Sequence, residues 1–337
     1  MIDPQDMEHC REAIRHGSLS FHAASRLLPA RVRDPALALY AFCRLADDEV
    51  DLSKRKQAAV EALRERLERV YAGRPRDAAP DRAFAAVVEI HEMPRALPDA
   101  LLEGLAWDAE MRTYADLSGV RDYSARVASA VGVMMCVLMG VRDKNALARA
   151  ADLGVAMQLT NIARDVGEDA LEGRLYLPLD WLETAGIDPQ GFMRAPQPTK
   201  AIRQMVRNLL IEADRLYVRS EAGIATLPVA CRPGIFAARF IYAGIGTQLQ
   251  GMGHNSIDAR ARTTKAHKAA LAGLSLWRSG MTLFMPHSPV IHARPLPETA
   301  FLVEATAHAE EENWSDVVTG ALSRLAEVDR LRAQEGV

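Results

Sequence analysis

Apolar residues recur every three or four positions along most of the chain, and this spacing predicts amphipathic helices. The helices that this spacing predicts cover residues 56–72, 82–93, 199–223, 235–253 and 265–281. Segments in which apolar and polar residues alternate, as they do in half-buried strands, are nearly absent. The pattern therefore predicts an all-α protein.

Two longer helices are predicted from their ends. Asp34 followed by Pro35 has the order of an N-cap and a first helical residue, so a helix is predicted to open there and to run to Asp51. Asp143 or Asn145 can begin a second helix of roughly 25 residues, which Gly173 would close.

A long uncharged and strongly apolar run in the middle of the chain, residues 127–141, reads VASAVGVMMCVLMGV. Its 15 residues fall short of the ~20 that a helix needs to cross a bilayer, so a buried helix is predicted. The flexible methionines in this run could also line an apolar wall that binds a hydrocarbon. The N-terminus is charged and polar and does not resemble a secretory signal.

Composition narrows the class of protein. The 337 residues are 49% hydrophobic and 25% charged with a net charge of -3, which is typical of a soluble globular protein and argues against nucleic acid as the main partner. The four cysteines are far apart, which argues against a disulfide framework and favours a cytoplasmic location. We predict one main domain over residues 1–285, followed over 286–337 by a Pro-rich linker and a polar helical extension.

Pairs of aspartates four residues apart stand out against the apolar helices. Asp47 and Asp51 form one pair, and Asp165 and Asp169 form another. In a helix, residues at i and i+4 lie on the same face. A third pair, at 77 and 81, lies in a Pro-rich stretch predicted to be a loop, which shows that this spacing alone is a weak signal.

The neighbours of the two helical pairs strengthen the prediction. Spacings of three or four extend each pair into a polar stripe, formed by Tyr40, Arg44, Asp47 and Asp51 in one helix and by Gln158, Asn161, Asp165 and Asp169 in the other. A single acidic turn is usually a solvated surface, but both stripes are flanked by apolar helix. Oxygen ligands without nearby His or Cys suit Mg²⁺ or Mn²⁺, which often bridge carboxylates to a bound diphosphate. Arg44 could clamp the phosphate oxygens.

Longer segments around these stripes resemble a known family. Residues 17–51 (GSLSFHAASRLLPARVRDPALALYAFCRLADDEVD), 103–132 and 158–178 (QLTNIARDVGEDALEGRLYLP) are similar to the squalene/phytoene synthase family, in consistent order over roughly residues 10 to 280. Within the family the chain is most similar to its bacterial phytoene-forming members. The resemblance implies an isoprenoid synthase fold with helices around a central catalytic cavity.

The resemblance also implies an activity. This is a Mg-dependent head-to-head condensation of two geranylgeranyl diphosphates through prephytoene diphosphate to phytoene, releasing two diphosphates. It would be the first committed step of carotenoid biosynthesis. Two alternatives remain open: a squalene or dehydrosqualene synthase acting on farnesyl diphosphate, and a non-catalytic helical assembly factor on the same fold.

Site residues follow from the resemblance by motif. The metal would be held by Asp47, Asp48 and Asp51 on one wall and by Asn161, Asp165 and Asp169 on the other. Contacts to diphosphate or to the reacting centre would come from Tyr40, Arg44, Gln158, Arg174 and Tyr176, with Ser18 and Ser20 near the first diphosphate. Tyr242 and Arg262 complete the substrate-binding candidates. Arg262, with Arg260 and Lys265, could form a basic rim near diphosphate or anionic lipid, or be solvated charge.

The expected cofactor is Mg²⁺ or Mn²⁺. No NADPH is expected, because no G-x-G-x-x-G motif follows a predicted strand and Gly244 and Gly246 lie within a predicted helix. The expected partner is geranylgeranyl diphosphate. Because the product would be a hydrocarbon, peripheral contact with the inner membrane is a further expectation.

Overall fold

The computed structural model describes residues 2–17, 19–52, 56–261, 264–285 and 288–307, and the side chains of 16–20, 47–52 and 265 lie outside the described part. The α-helices are α1 (Pro4–Gly17), α2 (Leu19–Ser25), α3 (Ala30–Leu52), α4 (Lys56–Tyr71), α5 (Ala79–His91), α6 (Ala96–Ala109), α7 (Leu117–Ser124), α8 (Ala130–Leu138), α9 (Lys144–Leu171), α10 (Leu179–Thr184), α11 (Pro189–Arg194), α12 (Lys200–Ile224), α13 (Arg232–Gly251), α14 (Lys265–Met281) and α15 (Ala300–Glu304). A π-helical turn, Ala125–Ser129, joins α7 to α8, and short 3-10 turns lie at Val229–Cys231, Pro289–His292 and Pro297–Thr299. No strand occurs in these described ranges, which confirms the all-α prediction.

The predicted start and end of the central helix are confirmed. Asp143 is the N-cap of α9, and its carboxylate accepts a hydrogen bond of 2.8 Å from the backbone N–H of Ala146. Gly173, just past the last turn, has φ +78°, a left-handed conformation that costs glycine little. Local capping chemistry thus sets both ends of α9.

The predicted start of α3 at Pro35 is wrong. The helix begins at Ala30, and the carbonyl of Pro29 accepts hydrogen bonds of 2.9 Å from the N–H groups of Val32 and Arg33. Pro35 therefore lies inside the helix, where it removes one donor after the first turn has already formed.

The prediction that the aspartates at 77 and 81 both lie in a loop is also corrected. Asp81 lies in the first turn of α5, where it is fully buried and accepts from Arg66 Nε of α4 at 3.0 Å. Burial of this ion pair explains why the carboxylate occurs there, since a buried charge requires a partner. The pair joins two helices and takes no part in a carboxylate stripe.

Helix α9 is the centre of the fold. It packs most extensively on α12 and also contacts α8, α13 and the π-helical turn. A hydrogen bond of 3.0 Å between the hydroxyls of Thr160 and Tyr217 joins α9 to α12 within the core. At Gly154 the π-helical turn passes so close that a Cβ atom would lie 2.5 Å from Ser129 Cα. Most side chains of α9 therefore face protein.

The chain after α14 returns to α9. Arg149, fully buried, donates hydrogen bonds of 2.8 Å to the carbonyls of Val290 and Ala293 and forms an ion pair of 2.7 Å with Asp152. The contacts define a first unit over Met1–Thr306 and a second over Ala307–Val337, which lies almost wholly outside the described residues. A separate C-terminal extension stays a prediction.

Among the described residues, no helix is long and apolar enough to cross a membrane.

Candidate active site

A cavity of about 760 Å³ lies among α2, α3, α6, α8, α9, α12 and α13. Along α9 it extends from Ala146 to Arg164, which corresponds to about 27 Å of helix at 1.5 Å per residue. The volume falls in the range of small-molecule sites. Its two ends differ in chemistry.

One end of the cavity is polar. It is lined by Tyr40, Cys43, Arg44, Asp108, Tyr123, Gln158, Asn161, Arg164, Tyr242 and Arg260. These residues come from α3, α6, α7, α9, α13 and the loop after α13. The arginines make this end suited to an anion with several oxygens, because a guanidinium presents several donors in a fixed plane.

The other end is apolar and is formed largely by small or flexible side chains. It includes Leu101, Leu105, Val131, Met135, Met139, Ala146, Ala150, Leu153, Ile224, Leu227 and Ile235. The uncharged run 127–141 forms the π-helical turn and α8, and its residues at 127, 131, 135 and 139 line the cavity. The prediction that this run is buried and borders an apolar wall is confirmed.

The polar stripe of α9 begins at the polar end of the cavity, where Gln158 and Asn161 are in the lining, and it continues along the helix through Asp165 and Asp169, which are not. Gln158, Asn161, Asp165 and Asp169 are half-buried, whereas most of their neighbours along the helix are fully buried. Asn161 donates a hydrogen bond of 3.3 Å from Nδ2 to Gln158 Oε1. The stripe predicted from the spacing is therefore one continuous polar surface on a helix that is otherwise core.

Asp165 is held between two arginines. It accepts from Arg164 Nε at 2.7 Å and from Arg260 at 2.8 Å (Nε) and 3.0 Å (Nη2). Arg260 reaches α9 because the preceding loop lies against Gly167, where a Cβ atom would come within 2.8 Å of Ile257 Cα. Arginine and carboxylate charges thus alternate at the mouth of the polar end.

The charged form of Asp169, one turn further along α9, is destabilised by its surroundings. Burial, with repulsion from Asp165 second, raises the pKa of Asp169 to about 8, although Arg174 opposes the shift. A bound divalent cation would relieve both causes. The donor set Asn161, Asp165 and Asp169 offers only oxygen ligands on this stripe, so these residues fit Mg²⁺ or Mn²⁺.

A second carboxylate, Asp108 of α6, organises the tyrosines. Its Oδ1 accepts from the hydroxyl of Tyr176 at 2.6 Å and its Oδ2 from that of Tyr123 at 2.8 Å. The two rings stack with centroids 5.0 Å apart, and Tyr114 packs against both. Burial raises the pKa of both Tyr123 and Tyr176 well above the usual value of 10, so both phenols are neutral at physiological pH.

The structure brings most of the described candidates together. Tyr40, Arg44, Gln158, Asn161 and Tyr242 line the cavity, and Tyr176 and Asp165 reach it through the lining residues Asp108, Arg164 and Arg260. Arg174 is not in the lining but follows Asp169, whose carbonyl accepts from its N–H at 2.8 Å. Ser18, Arg262 and the side chains of Ser20, Asp47, Asp48 and Asp51 lie outside the described residues. Within the described part, no group of three His, Cys, Asp or Glu side chains forms a metal site, so the metal assignment stays a prediction.

Sequence reasoning missed two functional residues. Arg164 lies beside the stripe and Asp108 lies one turn beyond Leu105, but neither belongs to the repeated aspartate pattern. The role of Asp108 is also apparent only from its hydrogen bond with Tyr176, which lies 68 residues away in the sequence. The available signal was its place as a charged residue at the end of the apolar helix LLEGLAW.

Comparison with known proteins decides the family. Residues 14–267 match the model of the squalene/phytoene synthase family. The chain belongs to this family. It is 60% identical to a phytoene synthase of Rhodobacter capsulatus over 98% of both chains, and 57% identical to one of Cereibacter sphaeroides over 98% and 96%.

Solved structures of the squalene/phytoene synthase family share the fold. A dehydrosqualene synthase crystallised with a ligand has a TM-score of 0.75 and 27% identity to the chain, and the match covers 82% of this chain and 97% of that one. This likeness confirms the expected isoprenoid synthase fold. Family membership makes the protein an enzyme of the prenyltransferase type with a prenyl diphosphate substrate.

Proposed function

We propose that the protein is a phytoene synthase that joins two molecules of geranylgeranyl diphosphate head to head. The observation that carries the proposal is the two-ended cavity, in which arginines and oxygen ligands occupy one end and a mostly apolar lining follows α9 from Ala146 to Met157, about 17 Å. Such a cavity suits a diphosphate joined to a long prenyl chain. The near-full-length identity to phytoene synthases supports the same substrate.

In this proposal the diphosphates bind at the polar end. Arg44, Arg164 and Arg260 would contact phosphate oxygens, with Gln158 and Asn161 as amide donors. Asn161, Asp165 and Asp169, with Asp47 and Asp51, would hold Mg²⁺, which when bound supplies Lewis-acid stabilisation of the leaving diphosphate. Tyr40 and Tyr242 would complete the wall around the first prenyl carbon.

The rest of the cavity would protect the reaction. Loss of diphosphate leaves an allylic cation, which water would quench, so an apolar enclosure is required. The face of Tyr123 and the carboxylate of Asp108 border the cavity and can stabilise positive charge. Attack by the double bond of the second molecule gives a new cation, which closes to a cyclopropylcarbinyl diphosphate by losing a proton to the released diphosphate. A second ionisation with rearrangement then leads to the C40 cation.

The last step is loss of a proton. The high pKa values of Tyr123 and Tyr176 match phenols that remain protonated, and a phenol that holds its proton is a poor base. The released diphosphate, held by the arginines, is therefore the base that we propose. NADPH has no role in this scheme, because proton loss ends it without reduction.

The test is product identification. Purified protein with Mg²⁺ is incubated with geranylgeranyl or farnesyl diphosphate alone, and the extracted hydrocarbon is identified by mass. We expect a C40 product from geranylgeranyl diphosphate. A C30 product from farnesyl diphosphate alone would show a squalene or dehydrosqualene synthase, and no hydrocarbon from either would favour a non-catalytic protein.

A further inference from the structure

Helix α14 buries polar side chains and exposes apolar ones, which is the reverse of an ordinary surface helix. Ser275 and Ser279 face inward and are 0% and 5% exposed, whereas Leu274, Leu276 and Trp277 face outward. Surface helices usually bury their apolar stripe and expose their polar one. Here 62% of Trp277, a residue type that is normally well buried, is accessible.

The apolar surface continues past the end of the helix. Leu283, Phe284 and Met285 are 56%, 86% and 48% exposed. Hydrogen bonds from the N–H groups of Phe284 and Met285 to the carbonyl of Met281 hold this turn against the end of α14. We call the set Leu274, Leu276, Trp277, Leu283, Phe284 and Met285 the α14 face. A group of exposed apolar side chains of this kind favours an interaction site.

Charge around the α14 face is strongly biased. Residues 264–285, which form α14 with its N-cap and the turn after it, contain Lys265, Lys268 and Arg278 and no acidic residue, and Arg278 pairs with Glu221 of α12. The whole chain carries a net charge of -3, so this part is positive against a negative background. Basic residues around exposed Trp, Phe and Leu are the pattern of a surface that binds anionic lipid.

Helix α14 is anchored to two helices that line the apolar end of the cavity. Arg278 of α14 donates to Glu221 of α12 at 2.9 Å, and Arg232 of α13 donates to Thr282 Oγ1 at 2.9 Å. Residues close to these anchors, at 223 and 224 on α12 and at 234 and 235 on α13, line the cavity. Helices α12 and α13, to which α14 is anchored, therefore wall the end where a prenyl chain would lie.

We propose that the α14 face docks the enzyme on an anionic lipid bilayer, with Trp277 and Phe284 inserted at the interface. Docking there brings the apolar end of the cavity close to the membrane, so that a hydrocarbon product passes into lipid. The passage of product rests on the proposed function, whereas the docking does not. The three cations of α14 and the lack of an acidic residue in that helix favour anionic lipid over a second copy of this chain, which would oppose two surfaces of like charge.

The test is flotation of full-length protein with vesicles. One set contains phosphatidylcholine alone and the other an equal mixture of phosphatidylcholine and phosphatidylglycerol. Wild type should float with the anionic set, and high salt should weaken its binding. The double variant Trp277→Ser/Phe284→Ser should lose at least about tenfold in partitioning, because two aromatic anchors no longer leave water.

A matched control is available on α12. Ile211 is 56% exposed, so Ile211→Ser removes a comparable exposed apolar side chain away from the α14 face and should float as wild type. Unchanged flotation of the double variant, or equal loss in the control, would overturn the proposal. Light scattering that shows a dimer which the double variant dissociates would identify a second copy as the occupant, which would also overturn it.

Activity in detergent separates the two proposals. If the double variant makes hydrocarbon at the wild-type rate in detergent but no longer floats, docking is supported independently of catalysis. If neither protein makes hydrocarbon while wild type still floats, the proposed function fails and the docking surface stands.

Discussion

Helices α9 and α14 both depart from the usual arrangement of apolar side chains inside and polar side chains outside, and they do so in opposite directions. Helix α9 lies in the core and turns Gln158, Asn161 and Asp165 toward a cavity. Helix α14 lies at the surface and turns Trp277 outward while it buries Ser275. Each inversion lowers the stability of the isolated protein, because polar groups lose water in one case and apolar groups keep it in the other.

The surroundings of the two helices differ, and they indicate which kind of ligand each arrangement suits. The polar side chains of α9 meet arginines and one another in a confined space, an arrangement that suits a small charged ligand with metal ions. The apolar side chains of α14 are not among those that line the described cavity and are exposed at the surface, an arrangement that suits a large apolar partner. In our proposals a diphosphate with metal ions completes α9 and a lipid surface completes α14.

The largest expected effect comes from breaking the α9 stripe. Asp165→Ala should lower turnover by on the order of 100-fold or more, because it removes a group that would hold metal and the charge that orients Arg164 and Arg260. Hydrocarbon formation under saturating Mg²⁺ measures the loss, and circular dichroism should show unchanged helix content.

A second readout for Asp165 does not depend on turnover. Mg²⁺ with inorganic diphosphate should raise the melting temperature of wild type, since ligands that bind only the folded state stabilise it. The rise should be absent in Asp165→Ala and retained in Glu183→Ala, a control at an exposed position of α10. Wild-type turnover in Asp165→Ala would contradict the role of the stripe.

A substitution at the apolar end of the cavity should lower activity less, and the loss should depend on the length of the prenyl chain. Ala150 lines the cavity about three turns from Asn161, and Ala150→Phe would fill part of the space for the prenyl chain. We expect kcat/KM for geranylgeranyl diphosphate to fall roughly tenfold or more, with a smaller fall for the shorter farnesyl diphosphate. An equal fall for both would place Ala150 outside the chain-binding part.

Asp108 tests whether the tyrosines need a fixed orientation. Asp108→Asn keeps the size of the side chain but removes one acceptor, so Tyr123 and Tyr176 compete for the remaining oxygen. Turnover should fall about tenfold with little change in KM, because the reacting carbons are misaligned while the diphosphate contacts remain. A changed KM with unchanged kcat would instead point to a binding role.

Local chemistry explains how much of the fold could be predicted. The helix predicted over 265–281 is α14 at the same residues, and Asp143 and Gly173 cap α9 as expected, because periodicity and capping depend on nearby residues. Pro35 misled the prediction of α3 because its preference for a first helical turn was overridden by Pro29 and the residues that follow it.

The site could be predicted only where it repeats along one helix. The stripe of α9 follows from spacing alone, whereas the contact of Arg260 with Asp165 depends on a loop that passes Gly167. The place of Asp108 likewise depends on Tyr123 and Tyr176, which come from separate parts of the chain. The inversion of α14 could not be predicted either, because the periodicity of a helix does not state which face is covered.

The smallest effect comes from a matched pair of substitutions on α14. Trp277→Ser should change the free energy of unfolding by about 0.5 kcal/mol or less, since an exposed side chain contributes little packing. Ser275→Leu, on the buried face, should cost about 1–3 kcal/mol, because added methylene groups have no space against α13. Urea unfolding without lipid measures both. If Trp277→Ser lowered the free energy of unfolding more than Ser275→Leu, Trp277 would be packed within the protein, and the contrast between α9 and α14 would fail.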